Sequence, residues 1–225
     1  MAGVKVKTCG ISSPEDARAC WELGADYLGL IFAASPRQVS IETATRIRAA
    51  VPDAPLVGVF VDAGEKMIET VAREAKLDFL QLHGAESTDF RIAIKQATGL
   101  PIIRVVHCQT ENSAESAEDC VETDPETKHE IGDLDDFLLF DLVKGSANIG
   151  NGLVKLWRAA AKVSARQQIF LAGNLSTNNI RDALDQVNPF AVDVCRGVES
   201  GPGIKDLAAT EQFISEVKVW QPKVK

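Results

Sequence analysis

The chain has 225 residues, 45% of them hydrophobic and 25% charged, with a formal net charge of -8 at pH 7. That length supports one substantial core, no apolar run reaches the roughly 20 residues of a membrane span, and the amino terminus has no apolar signal region, so a soluble, cytoplasmic protein is expected. The acidic balance argues against a general nucleic-acid or anionic-membrane surface, although a few local donors would still hold an anionic small molecule.

The first unit is Val4-Lys5-Val6-Lys7-Thr8-Cys9, which alternates like a strand and breaks at Gly10. Ser12 or Ser13 then offers an N-cap, Pro14 falls near the first helical position, and Glu15 and Asp16 occupy the first turn. A helix is predicted to Leu23, closed by Gly24. Strands are predicted next over residues 26–32 and 55–61, with Ala33 to Val39 as a loop and Ser40 capping a helix from Ile41 to Val51. A helix follows from Glu65 to Lys76, a fourth strand over residues 78–84, a helix over Ser87 to Thr98 and a fifth strand over residues 101–106.

The rhythm breaks between Gln109 and Asp136, an acidic insertion whose only Lys or Arg is Lys128 and of which Ala114 to Val121 alone suggests a helix. It resumes with a strand over residues 137–141, a helix from Leu153 to Ser164 and a strand over residues 168–172. A helix from Asn178 to Gln186, a strand over residues 190–194 and a closing helix from Lys205 to Val219 complete the chain. Eight strand-then-helix units at nearly constant spacing predict an α/β fold of the closed (βα)8 TIM-barrel kind, in one domain over residues 1–225 with the insertion at about 109–136. An open doubly wound sheet would sooner show a glycine-rich loop after strand one; here such turns follow strands six to eight.

In a parallel barrel the working groups stand at strand carboxyl ends. Those positions hold Cys9, Arg37, Asp62, His83, His107, Asp141 with Lys144, Gly173-Asn174 and the run from Asp193 to Gly197. Cys9 leaves a strand toward a helix start with Lys7 nearby, which lowers a thiol's pKa and suits a nucleophile or a general base. Asp141 closes an otherwise apolar strand; it is either a cap for the next loop or a desolvated acid. A separated base and acid suit isomerisation.

The glycines after strands seven and eight (Gly173, Gly197, Gly201, Gly203) are either plain turns or the phosphate-holding loops common in barrels. His83 and His107 have no partner at metal-ligand spacing and read as core or substrate-contact residues. The five cysteines (Cys9, Cys20, Cys108, Cys120 and Cys195) include no CxxC pair, so reduced thiols are expected and a zinc site is not.

Several segments together resemble the phosphoribosylanthranilate isomerase family over essentially the whole chain. They are Lys7-Thr8-Cys9-Gly10-Ile11-Ser12, Ser35-Pro36-Arg37-Gln38-Val39-Ser40, Gly58-Val59-Phe60-Val61, Gln81-Leu82-His83-Gly84, Pro189 to Val194, Gly197-Val198-Glu199 and Pro202 to Asp206. The resemblance implies an Amadori rearrangement in tryptophan biosynthesis without metal or organic cofactor, on a phosphorylated sugar. It implies no nucleic-acid or membrane partner, and a monomer or homodimer. It maps the general base onto Cys9, the general acid onto Asp141 and the contact for the anthranilate carboxylate onto Arg37. Substrate-binding roles are expected for Lys7, Arg37, His83, Gly152, Gly173, Asn174, Asp193, Arg196 and Gly197.

The chain departs from the family pattern at Asn174, at Cys195-Arg196, at Ile149-Gly150-Asn151-Gly152 and at Lys155-Leu156-Trp157, all on loops expected to hold phosphate or cover the sugar. Asn174 adds a side chain where backbone should approach an anion, whereas Arg196 either adds a phosphate donor or points to solvent. These departures leave open a paralogous isomerase acting on another phosphorylated aminosugar, and a non-catalytic binding barrel.

Overall fold

A computed structural model describes residues 3–108, 136–142 and 149–222. The acidic insertion from Gln109 to Asp135, including the suggested helix from Ala114 to Val121, and Lys144 lie outside the described residues. Eight parallel strands form a closed barrel in sequence order. They are β1 (Lys5–Cys9), β2 (Tyr27–Ile31), β3 (Leu56–Phe60), β4 (Phe79–Leu82), β5 (Ile102–Cys108), β6 (Phe137–Leu142), β7 (Ile169–Leu171) and β8 (Ala191–Val194). Closure is made by β8 pairing with β1, with Lys7 opposite Asp193 and Thr8 opposite Val194.

The helices wrap the barrel: α1 (Pro14–Glu22), α2 (Ile41–Ala50), α3 (Glu65–Glu74), α4 (Thr88–Thr98), α5 (Ile149–Ser164), α6 (Ile180–Val187) and α7 (Leu207–Val219). Their starts follow local capping chemistry. The side chains of Ser13, Ser40, Ser87 and Asp206 each accept a hydrogen bond from a backbone N–H in the first turn. Gly24, at φ +99°, lets the chain turn back after α1.

Two apolar layers follow from the period of two along each strand. Outward residues such as Val6, Leu28, Leu30 and Leu80 join helix residues such as Ile47, Ile68 and Leu184 in the larger core. Inward residues fill the barrel, and the fill changes along its axis. Near the amino ends of the strands Tyr27, Phe79, Phe137, Phe170 and Phe190 pack ring against ring, with centroids 5.3–6.2 Å apart. Toward the carboxyl ends the inward positions turn polar, and that is where the site forms.

Four expectations need correction. The segment Ile149-Gly150-Asn151-Gly152 is not a loop but the first turn of α5, and Gly152 is buried inside that helix. Glycine costs a helix only about 1 kcal/mol relative to alanine, which packing of the later turns of α5 offsets. The closing helix begins at Leu207, two residues later than expected. In place of a simple glycine loop, residues 199–205 form an antiparallel hairpin of β9 (Glu199–Gly201) and β10 (Ile204–Lys205). Gly203, at φ +78°, makes its reversal. Asn178 also precedes its helix: α6 begins at Ile180.

Candidate active site

β1 delivers Lys7 and Cys9 to the inside of the barrel, two residues apart on one face. Lys7 is completely buried, and its Nζ donates to both carboxylate oxygens of Asp193 on β8 at 3.0 Å. Burial disfavours a charged ammonium here, but Asp193 and Cys9 outweigh it and hold the Lys7 pKa above its ordinary value. Room for these side chains comes from Gly29 on the neighbouring β2. A Cβ there would stand 2.8 Å from the Cys9 Sγ and 3.0 Å from the Lys7 Nζ.

Cys9 is 6% exposed. A hydrogen bond from Cys195 lowers its pKa most; burial opposes this, and the Lys7 charge adds to the lowering, so the thiol settles at about 7. A substantial thiolate fraction therefore exists at neutral pH, which is the form able to take a proton.

Asp141 sits near the end of β6, three strands from β1 through β7 and β8. Burial pushes its carboxyl up to about 6, against the hydrogen bond that Oδ1 accepts from the Leu142 N–H at 2.8 Å. The mouth thus holds a thiol lowered toward neutrality and a carboxyl raised toward it, the pairing that lets one enzyme remove a proton at one atom and supply one at another. The His83 Nε2 lies 3.6 Å from Asp141 Oδ2. On the other side of that ring, the buried Gln81 amide donates to Nδ1 at 3.0 Å, which places the ring proton of a neutral His83 on Nε2, toward Asp141. His107 is exposed and edges onto His83, with ring centroids 5.0 Å apart.

A second polar group is built by the hairpin. Glu199 accepts from Nε and Nη2 of Arg37, while Oε1 also accepts from the Lys205 Nζ at 3.0 Å. The Glu199 side chain is only 4% exposed. Burial alone would raise its pKa, yet Arg37 and Lys205 bring it down to about 2, so it stays ionised. Lys205 further donates to the Cys9 carbonyl at 2.6 Å, tying the hairpin to the end of β1. Because Glu199 occupies the Nε–Nη2 edge of Arg37, the end-on edge of the guanidinium is left for a second carboxylate.

The glycine turns divide in character. Gly173 is buried at φ +86°, and a Cβ on it would stand 2.5 Å from Leu156. Asn174 is exposed at φ +54°, a left-handed conformation that asparagine tolerates, and its carbonyl accepts from the Asn179 side chain at 3.0 Å. The substitution for glycine thus keeps the turn and directs its side chain outward. Gly197 packs so closely on the loop after β7 that a Cβ would come within 2.0 Å of the Leu175 carbonyl oxygen. Arg196 is exposed at the exit of β8, and its charge reaches Asp141.

Of the expected site residues, Lys7, Cys9, Asp141, His83, Asp193, Arg37, Gly173, Asn174, Arg196 and Gly197 all lie at the carboxyl end of the barrel or on its loops, whereas Gly152 belongs to a helix. Asp62 turns aside to a loop contact, accepting from the Ala85 N–H. Sequence reasoning assigned no role to Glu199, Lys205, Cys195 or Gln81. The hairpin carries both Lys205 and Glu199 inward, a contact that a helix starting at Lys205 would not make. Among the described residues no group of three or more His, Cys, Asp or Glu side chains is placed to hold a metal ion, and no helix is long and apolar enough to cross a membrane.

A closed (βα)8 barrel whose mouth holds a thiol lowered and a carboxyl raised toward neutrality, with glycine turns after β7 and β8, has the layout of an enzyme active centre at the carboxyl ends of its strands. Comparison with known proteins makes the assignment specific. Residues 6–216 match the family described as N-(5'phosphoribosyl)anthranilate (PRA) isomerase. The chain is 37% identical over 219 residues to the N-(5'-phosphoribosyl)anthranilate isomerase of Geobacter sulfurreducens, covering 96% of this chain and 100% of that protein. It is 38% identical to the Geobacter metallireducens enzyme of the same name, covering 96% and 99%. The crystal structure of phosphoribosyl anthranilate isomerase from Thermotoga maritima superposes with a TM-score of 0.81 at 34% identity, covering 96% of this chain and 100% of that one. A phosphoribosyl anthranilate isomerase solved with reduced 1-(o-carboxyphenylamino)-1-deoxyribulose 5-phosphate superposes with a TM-score of 0.78 at 32% identity, covering 96% and 100%. The chain belongs to the phosphoribosylanthranilate isomerase family.

Proposed function

We propose that this chain converts N-(5-phosphoribosyl)anthranilate to 1-(o-carboxyphenylamino)-1-deoxyribulose 5-phosphate, a step of tryptophan biosynthesis in the cytoplasm, with Cys9 as general base and Asp141 as general acid. The observation that carries the reading is the pair itself. One barrel mouth holds a thiol lowered to about 7 and a carboxyl raised to about 6. Asp141, protonated, gives its proton to the ribose ring oxygen as the ring opens to an iminium. The Cys9 thiolate then takes the proton from C2, and the resulting enolamine tautomerises to the ketose. Lys7, held by Asp193, steadies the thiolate before the proton arrives.

Binding divides between the two sides of the mouth. The end-on edge of Arg37 takes the anthranilate carboxylate, with Glu199 fixing the guanidinium plane. The turns at Gly173-Asn174 and Arg196-Gly197 take the phosphate, with Arg196 supplying charge and the glycines close backbone approach. His83 faces Asp141 and contacts the sugar. Support for the substrate comes from the relative solved with a reduced product analogue. The exposed Asn174 side chain leaves the phosphate turn open, which favours the family substrate over a different aminosugar.

The test is turnover of phosphoribosylanthranilate generated in situ, followed by the fall in anthranilate-type fluorescence. Turnover by the intact chain that disappears in Cys9→Ala supports the reading. A folded, inactive intact chain overturns the substrate, and an active Cys9→Ala overturns the base.

A further inference from the structure

We propose that Cys9 and Cys195 form a reversible disulfide when the protein meets a hydroperoxide, so that the mouth of the barrel carries a redox modification site. The pairing is dictated by the closure of the barrel. Lys7 is opposite Asp193 and Thr8 opposite Val194, so Cys9, the last residue of β1, stands beside Cys195, the first residue after β8. Neighbouring strands run about 4.8 Å apart, within the about 4.4–6.8 Å that separates disulfide-linked Cα atoms, so residues at adjoining strand ends are within reach of such a bond. Counting by twos from Lys7 puts the Cys9 thiol on the inward face; a Cβ on Gly29 would stand 2.8 Å from the Cys9 Sγ and one on Gly10 3.0 Å from the Cys195 Sγ, and the two thiols are hydrogen-bonded to one another. Cys195 is only partly buried, which gives a molecule the size of a peroxide a way in.

The chemistry also runs in one order. Cys9, with its neighbouring ammonium, is the thiolate; Cys195 is the thiol, held protonated between Cys9 and the Glu199 carboxylate, 3.6 Å from its Sγ. The Cys9 thiolate attacks one peroxide oxygen and breaks the O–O bond. This gives a sulfenic acid and a hydroxide that takes up a proton to become water. Once Cys9 is a neutral sulfenic acid, one of the two negative charges that kept Cys195 protonated is gone and only that of Glu199 remains. The Cys195 sulfur then attacks the sulfenyl sulfur, the hydroxyl leaves with the Cys195 proton as a second water, and the S–S bond closes. Two thiols lose two electrons and one peroxide gains them. A disulfide at Cys9 cannot accept a proton, so turnover stops; that consequence, unlike the bond, rests on the reading of Cys9 as the general base.

The full-length protein is treated with hydrogen peroxide, its remaining thiols are blocked, and peptide mapping is run beside the turnover assay. The expected product is the protein less two hydrogen atoms, with the Cys9 peptide joined to the Cys195 peptide. Activity falls in step with that cross-linked fraction and returns with a dithiol reductant. In Cys195→Ser, compared with its own untreated rate, the same exposure drives Cys9 to the sulfinic acid, and reductant restores nothing. Absence of the Cys9–Cys195 peptide after treatment, or a cross-link between other cysteines, overturns the pair. A complete cross-link with undiminished turnover leaves the modification site standing and overturns the general-base role.

Discussion

Lys7 and Asp193 face one another across β1 and β8 inside the barrel, the ammonium 3.0 Å from both carboxylate oxygens and itself wholly buried. A buried pair of this kind is costly to break from one side, because the survivor keeps its charge without a partner. Lys7→Met is expected to cost about 3–5 kcal/mol in urea unfolding, and adding Asp193→Asn to recover much of it. The same Lys7→Met should raise the Cys9 pKa, read from ultraviolet thiolate absorbance against pH. An unchanged thiol titration would separate Lys7 from Cys9.

In the proposed mechanism Asp141 and Cys9 together set the pH dependence. The active form has Asp141 protonated, favoured below about 6, and Cys9 ionised, favoured above about 7. The product of these fractions makes kcat/KM bell-shaped, rising through about 6 and falling through about 7, with the pair rather than either residue owning the two limbs. Asp141→Asn should lose most turnover while still binding a product analogue, and its residual rate should rise through the Cys9 titration without the alkaline fall. A full rate from Asp141→Asn would remove the acid.

Stability carries a separate signature of Asp141. Its folded pKa is raised to about 6, so the protonated carboxyl favours the native state. That contribution is complete below the ordinary carboxyl pKa of about 3.9 and is lost as the pH rises through about 6. Asp141→Asn should therefore flatten the decline in unfolding free energy over that window, measured by denaturant titration at a series of pH values.

Glu199 grips Arg37 by one edge, and the substrate carboxylate is assigned the other. Glu199→Gln should raise KM about tenfold or more with a smaller effect on kcat, since charged hydrogen bonds contribute about 1.5–3 kcal/mol. Steady-state kinetics decides it: a kcat loss with KM unchanged would place Glu199 in the chemistry instead.

Gly29 makes space for the reactive thiol. In Gly29→Ala the new Cβ would stand 2.8 Å from the Cys9 Sγ and 3.1 Å from its Cα, and the backbone atom has no rotamer with which to retreat. Overpacking of this kind costs about 1–3 kcal/mol. The displaced thiol should cut turnover by about a hundredfold or more. Thermal unfolding and the fluorescence assay, measured on one preparation, compare the two losses.

The barrel was legible because each unit carries its own local instructions. Ser13 and Ser40 cap helices through contacts within three residues, and near-continuous apolar runs such as Phe137 to Phe140 mark strands covered on both faces. Cys9 and Asp141 could be singled out because strand ends are where a parallel barrel presents polar groups. The start of α5 was misplaced because Gly150 and Gly152 weaken helix propensity locally, while packing of the later turns extends the helix back over them.

What remained hidden depended on residues far apart in the chain. Lys7 and Asp193 are separated by 186 residues, Arg37 and Glu199 by 162, and Lys205 and the Cys9 carbonyl by 196. No periodicity records such contacts; closure of β8 on β1 and the fold of the β9–β10 hairpin create them. The sequence by itself determined the repeated strand and helix units and the strand ends at which Cys9 and Asp141 stand. Only the tertiary structure decided their charge states and neighbours, because burial and a partner's charge act through space.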